Sequence, residues 1–170
     1  MALLSTLSTL APYHLLAYSL LFGATTYQSF FAGIVAFKTL PYNHFSALQA
    51  HVFPVYFSGQ SILSLFLLLT RPVDFAESAN LACLTLVLSA ATGLLNMLVL
   101  SPLTRRVMEA RRKQEGIDGK SCKDPNPSDE MRALNKRFGK IHGISVLLNL
   151  AGFISLILYG IVLSEQLVSA

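Results

Sequence analysis

The sequence predicts an all-α fold: a polytopic membrane four-helix bundle with a cytosolic helical hairpin between helices 3 and 4. Hydrophobic residues make up 53% of the 170 residues and charged residues only 13%, whereas a soluble domain contains about 25% charged residues. The mean hydropathy is +0.55, and four long windows contain no Asp, Glu, Lys or Arg. These windows are continuous apolar runs and not the alternating segments of a membrane β-barrel. We therefore predict a single transmembrane domain over residues 1–170.

The lengths of the four windows predict the four spans. A helix needs about 20 apolar residues to cross a hydrocarbon core that is roughly 30 Å thick. No Lys or Arg precedes the first window, which is too long for the apolar part of a signal peptide, so we expect a retained helix. The predicted spans are residues 14–37, 52–70, 79–101 and 141–164, with a charged stalk over 102–140.

The placement of Lys and Arg predicts the orientation of the chain. The stalk contains eleven of them, the turn after the first span contains Lys38, and the opposite side contains only Arg71. Cytosolic loops of membrane proteins hold an excess of Lys and Arg. We expect the stalk in the cytosol and both termini on the lumenal or extracellular side of an endomembrane or of the plasma membrane. The basic residues lie beside hydrophobic spans, so nucleic acid is not expected as a partner.

The stalk is predicted to be an antiparallel helical hairpin. Residues 103–115 are mostly good helix formers, and Gly116 and Gly119 are expected to end this first arm. Ser128 is a candidate N-cap for the second arm, and two acidic residues follow it in the first turn. At about 1.5 Å per residue, each arm would project roughly 20 Å. The alternative is a solvated loop without fixed structure.

The stretch before the second span is amphipathic. Phe45, Leu48 and Val52 share one side of a helix, and polar residues lie between them. Two interpretations are open: an interfacial helix that leads into the span, or a plain turn followed by an early start of the spanning helix.

Polar residues inside the spans are candidates for function. None of them is Asp, Glu, Lys or Arg, which gives little support to transport driven by a buried carboxylate. Interhelical hydrogen bonds from buried amides, worth about 0.6 to 2 kcal/mol each, are the favoured interpretation. The alternative is a polar path through the bundle. Asn96 and Asn149 are both predicted to lie nearer the membrane face from which the stalk projects, where they could meet. The four uncharged candidates are Gln28, Gln60, Asn96 and Asn149.

Small residues spaced four apart predict close contacts between helices. Ser89 and Gly93 form such a pair in the third span, and Gly139 and Gly143 form another at the start of the fourth. Packing within the chain is the favoured interpretation, and contact between two copies is the alternative.

No pattern of an enzyme or a metal site is found. The sequence lacks Gly-x-Ser-x-Gly, a phosphate-binding Gly-Lys-Ser/Thr loop and His-Glu-x-x-His. His44 and His51 would lie about 10.5 Å apart along a helix, too far to share one zinc ion. We expect no catalytic residue, cofactor or metal. Cys122, beside basic residues in the stalk, is expected to be an exposed thiol, with an activated thiol as the alternative.

Five basic residues of the stalk are expected close to the headgroups on the cytosolic side. Each can gain about 1 kcal/mol from anionic lipid, which would make them a general anchor. They are Arg105, Arg106, Lys136, Arg137 and Lys140.

Four blocks of the sequence together resemble the transmembrane protein 205 family. They are Phe37–Pro41, Leu48–Phe57, Asn96–Pro102 and Leu134–Leu150, and the resemblance covers about residues 16–163. It implies a four-helix endomembrane or cell-surface protein and offers no catalytic residues to transfer. A structural role is the alternative for each motif residue. Besides Asn96 and Asn149, the residues to test are Pro54, Tyr56, Pro102, Asn135, Phe138, His142 and Gly143.

Two functions remain open on the sequence. The first is a non-catalytic interaction or trafficking-related protein whose stalk, residues 102–140, binds a cytosolic protein partner. The second is a small carrier or channel with an uncharged polar path through the bundle.

Overall fold

The structure, a computed structural model, describes residues 2–71 and 79–168, and within them the fold is all-helical. Four helices are long and apolar enough to cross a membrane, which confirms the predicted fold class. The helices are α1 (Ala2–Leu7), α2 (Ala11–Thr39), α3 (Tyr42–Thr70), α4 (Ala79–Asp118) and α5 (Asp129–Val168).

The predicted spans all lie within longer helices. α3 begins at Tyr42, ten residues before the predicted span, so the early helix start is the correct interpretation of that stretch. α4 continues from the third span into the first stalk arm, and α5 runs without interruption from the second arm into the fourth span. The residues that join α3 to α4, 72–78, lie outside the described part of the chain.

The stalk is a helical hairpin, as predicted. Gly119 ends α4 with a φ of +62°, a left-handed conformation that glycine adopts without steric cost. The expectation that Gly116 also breaks the helix was wrong, because α4 continues through it to Asp118. Ser128 caps α5, since its Oγ accepts a hydrogen bond of 3.1 Å from the backbone N–H of Met131.

The hairpin does not project alone, because the helices beside it are long enough to reach its loop. α2 and α3 contain 29 residues each and are therefore about 43 Å long, more than the roughly 30 Å of a hydrocarbon core. The corner where they meet reaches the hairpin loop, and the amine of Lys123 lies 4.1 Å from the centre of the Tyr42 ring. The loop thus packs on this corner.

The apolar core lies toward the end of the bundle away from the hairpin. Leu21, Leu67, Leu86 and Leu156 are fully buried there around Tyr159. The outward faces are also apolar, and Leu69, for example, is 85% exposed. Large exposed apolar surfaces are costly in water and are the expected contact surface for lipid.

Three departures from a regular α-helix lie in the spans. π-helical segments occupy Gln28–Ala32 in α2 and Asn96–Leu100 in α4, and Pro54 lies inside α3. A π segment changes which side chains face a neighbouring helix, and such segments are frequent at functional sites. Proline removes one helical hydrogen bond and its ring displaces the preceding turn. Polar contacts and a groove occur at these positions.

Close packing is confirmed for one pair of small residues and was wrong for the other. Ser89 is fully buried, and a Cβ on Gly93 would lie only 2.7 Å from Ser61 Oγ. By contrast, no atom lies within 4 Å of a Cβ placed on Gly139 or Gly143. The latter pair faces open space because it lies on the side of α5 that no other described helix covers.

Candidate functional site

The base of the hairpin contains a buried arginine that joins three helices. Arg111 of α4 is only 6% exposed, and its Nη1 donates a hydrogen bond of 3.3 Å to the hydroxyl of Tyr42 on α3. Its guanidinium carbon lies 4.6 Å from the centre of the Phe138 ring on α5. Among the residues that the structure describes, no carboxylate lies within ion-pair distance of Arg111. The guanidinium group of Arg111 is therefore held by an aromatic face, a hydroxyl group and the sulfur of Met108, which Nη1 contacts at 3.2 Å.

The hairpin loop closes over the same place. Lys123 lies above the Tyr42 ring at 4.1 Å and above the Phe37 ring at 5.2 Å. We call Tyr42, Arg111, Lys123 and Phe138 the latch, because these residues connect the α2–α3 corner to both arms of the hairpin. The latch fixes the position of the hairpin relative to the spans.

Cys122 is buried beside the latch, so the expectation of an exposed thiol was wrong. It is 5% exposed, and its backbone N–H donates to Glu115 Oε1 at 2.7 Å while its carbonyl accepts from Asn135 Nδ2 at 2.9 Å. Burial raises the pKa of the Cys122 thiol above its ordinary value, and the Glu115 hydrogen bond acts in the same direction. The thiol stays protonated at neutral pH, which argues against an activated nucleophile.

Within the spans, Asn149 connects three helices. Its Nδ2 donates to Ser29 Oγ in the π segment of α2, and its Oδ1 accepts from the Tyr56 hydroxyl of α3, both at 2.8 Å. Asn96, in the π segment of α4, accepts a hydrogen bond of 2.6 Å from Ser145 Oγ. The expected meeting of Asn96 and Asn149 does not occur as a direct hydrogen bond. Each amide instead connects its own set of helices.

The other two amides have different surroundings. Gln60 is 2% exposed, and its Nε2 donates to the Ser89 carbonyl at 3.2 Å and to Thr92 Oγ1 at 3.4 Å. Gln28 is partly exposed and lines a groove of about 420 Å³ between α2 and α3, together with Tyr56. The structure therefore does not bring the four amides together along one path.

The basic residues next to the spans lie at a common depth. α4 and α5 are antiparallel, with Asn96 against Ser145 and Arg111 against Phe138, so residues near 105 lie level with residues near 140. All five basic residues that were expected near the headgroups are exposed.

Arg105 and Arg106, two of these five residues, border a second groove, of about 310 Å³, between α3 and α4. Its lining is Pro54, Met97, Ser101, Pro102, Arg105 and Arg106.

The motif residues fall into these sites with one exception. Asn135 and Phe138 lie at the base of the hairpin, and the His142 ring stacks on Phe138 with 5.5 Å between centres. Pro54 and Pro102 line the α3–α4 groove, Tyr56 bonds Asn149, and only Gly143 has no close neighbour. Sequence reasoning missed Tyr42 and Arg111. Arg111 is the first of three consecutive basic residues, and its spacing of four from the buried Val107 is the one signal that it faces inward.

Comparison with known proteins gives a family but no function. Residues 16–113 match a family described as a domain of unknown function, DUF4149. Xanthocillin biosynthesis cluster protein D of Aspergillus fumigatus is 31% identical over 172 aligned residues, which cover 99% of this chain and 97% of that protein. No solved structure matches the chain.

Proposed function

The chain belongs to the DUF4149 family, and from this premise we propose that it is a multi-pass membrane protein without catalytic activity whose hairpin binds a protein partner. The hairpin is held in one position by the latch, and this is the observation on which the proposal rests most. A fixed surface loses less conformational entropy on binding than a mobile loop does. We also propose that the chain is related to the transmembrane protein 205 family, which four blocks of its sequence resemble.

The chemistry of the hairpin surface favours an acidic partner. Arg112, Lys113 and Lys120 are exposed on it, and Ile117, an apolar side chain, is 76% exposed among them. Positive charge steers an acidic surface toward the hairpin, and an apolar residue inside a charged surface supplies buried contact area. We place this surface in the cytosol and the termini in the lumen or outside, because Lys and Arg concentrate on the hairpin side. The membrane is an endomembrane or the plasma membrane.

The alternative, a small carrier or channel, has less support. Gln60 and Asn96 are buried between packed helices, and Gln28 faces an outer groove.

Reversing one charge on the hairpin should weaken binding of the partner. With a photo-crosslinking amino acid at Ile117 in intact cells, Lys113→Glu is expected to lower the yield of the partner adduct about tenfold, since like charges repel across an interface. Lys38→Glu makes the same change on the same side of the membrane but at the end of α2, and should leave the adduct unchanged. An adduct of equal yield in both variants and the parent would contradict the proposal.

A further inference from the structure

The α3–α4 groove exists because both of its walls depart from regular helix geometry. Pro54 lies within α3, so that turn lacks one backbone hydrogen bond, and the π segment Asn96–Leu100 lies opposite in α4. Met97 is part of that segment and accepts a contact of 3.1 Å at its sulfur from Ser58 Oγ of α3. The groove is therefore a consequence of backbone structure, and side-chain motion is not needed to open it.

One half of the groove is apolar and opens toward the lipid. Its walls there are Pro54 and Met97, and the residues that follow them, Val55 and Leu98, are 74% and 63% exposed. The charge-free part of α4 continues to Thr104, so this half lies at the depth of the acyl chains.

The other half is cationic. Arg105 and Arg106 line it beside Ser101, and no acidic residue contributes to the lining. Among the residues that the structure describes, neither arginine has a carboxylate within ion-pair distance. Guanidinium groups bind phosphate oxygens through paired hydrogen bonds, and a serine hydroxyl can donate another. The polar half thus matches a phosphate-containing headgroup.

We propose that the groove is a binding site for a single anionic phospholipid of the leaflet on the hairpin side, with its headgroup on Arg105 and Arg106 and an acyl chain along Met97 and Pro54. A soluble phosphate would leave the apolar half empty, and a zwitterionic phospholipid, whose phosphate charge is balanced by its own cation, would offset less of the positive charge of the two arginines than an anionic phospholipid does. The site goes beyond a general basic anchor, because only two of the five basic residues border the groove.

The test measures lipid retained by the purified full chain after detergent exchange, using native mass spectrometry with phosphatidylserine or phosphatidylcholine. We expect about one phosphatidylserine per chain. At about 1 kcal/mol for each basic residue, the double variant Arg105→Gln/Arg106→Gln should retain it about 30-fold less tightly. Lys136→Gln/Arg137→Gln removes the same charge at nearly the same depth but outside the groove, and should retain it as the parent does.

Three outcomes would overturn the proposal. They are equal losses in the two double variants, which would indicate a general anchor; equal retention of phosphatidylcholine by the parent chain; and displacement of the lipid by its headgroup alone, glycerophosphoserine. The comparison of phosphatidylserine with phosphatidylcholine uses only the parent chain. It therefore tests whether the groove prefers an anionic lipid even if a variant fails to fold. Partner capture plays no part in this test, so the two proposals can fail separately.

Discussion

Replacing Gly152 with leucine is expected to destabilise the bundle by about 3 kcal/mol, because overpacking a filled interior costs about 1 to 3 kcal/mol and occasionally more. A Cβ at this position would lie 2.7 Å from Thr92 Oγ1 and 2.9 Å from Gln60 Nε2. Both side chains are buried and hydrogen-bonded to each other, so neither can move aside without breaking that contact. The added side chain would force α5 away from α4.

The matched control is Gly143→Leu on the same helix. No atom lies within 4 Å of a Cβ there, and the higher helix propensity of leucine should leave the stability unchanged or slightly raised. The measurement is the midpoint of unfolding as sodium dodecyl sulfate is titrated into mixed micelles of each variant. Equal midpoints for the two leucine variants would show that the described contact between α4 and α5 is wrong.

Replacing Arg111 with alanine is expected to free the hairpin. The variant loses a hydrogen bond from a charged group, worth about 1.5 to 3 kcal/mol, and a contact with the Phe138 ring worth about 0.5 to 2 kcal/mol. Since such terms are not additive, we expect opening of the hairpin to become easier by about 2 kcal/mol, or roughly 30-fold. Amide hydrogen exchange over residues 119–138 should accelerate by that factor.

Arg112→Ala provides the comparison for this prediction. Arg112 is the next residue along α4, has the same charge and is exposed, so exchange in the hairpin should match that of the parent. If the two variants exchanged alike, the latch would contribute nothing to the position of the hairpin. A faster exchange confined to the Arg111 variant would show that the contacts of Arg111 hold the hairpin in place.

Helix number and hairpin caps could be predicted from the sequence because both depend on local patterns. Long charge-free windows define the spans, and Ser128 and Gly119 mark the hairpin ends through their preferred backbone chemistry. The sequence predicted the second span but left the start of α3 open, because the polar residues of its first turns do not show whether the helix extends beyond the hydrocarbon core. The latch could therefore not be foreseen, because the contact between Tyr42 and Lys123 depends on how far α3 extends beyond the span.

The intramembrane contacts were predictable in kind but not in pairing. Gln60, Asn96 and Asn149 all form hydrogen bonds between helices, as their residue type suggested. The partners of Asn96 and Asn149 depend on two π segments, which shift the faces of α2 and α4 away from a regular period. No pattern in a single sequence marks such a shift, so the Asn149–Ser29 contact could not be foreseen.

The most direct test of the account is the side of the membrane on which the hairpin loop lies. Asn126-Pro127-Ser128 fails as an N-glycosylation acceptor only because proline occupies its middle position, and Asn126 is exposed. Pro127→Ala completes the acceptor, and a second acceptor in an extension after Ala170 reports the opposite side. Translation into microsomes should give glycan at the C-terminal extension and none at Asn126; glycan at Asn126 would place the hairpin in the lumen and contradict the proposed orientation.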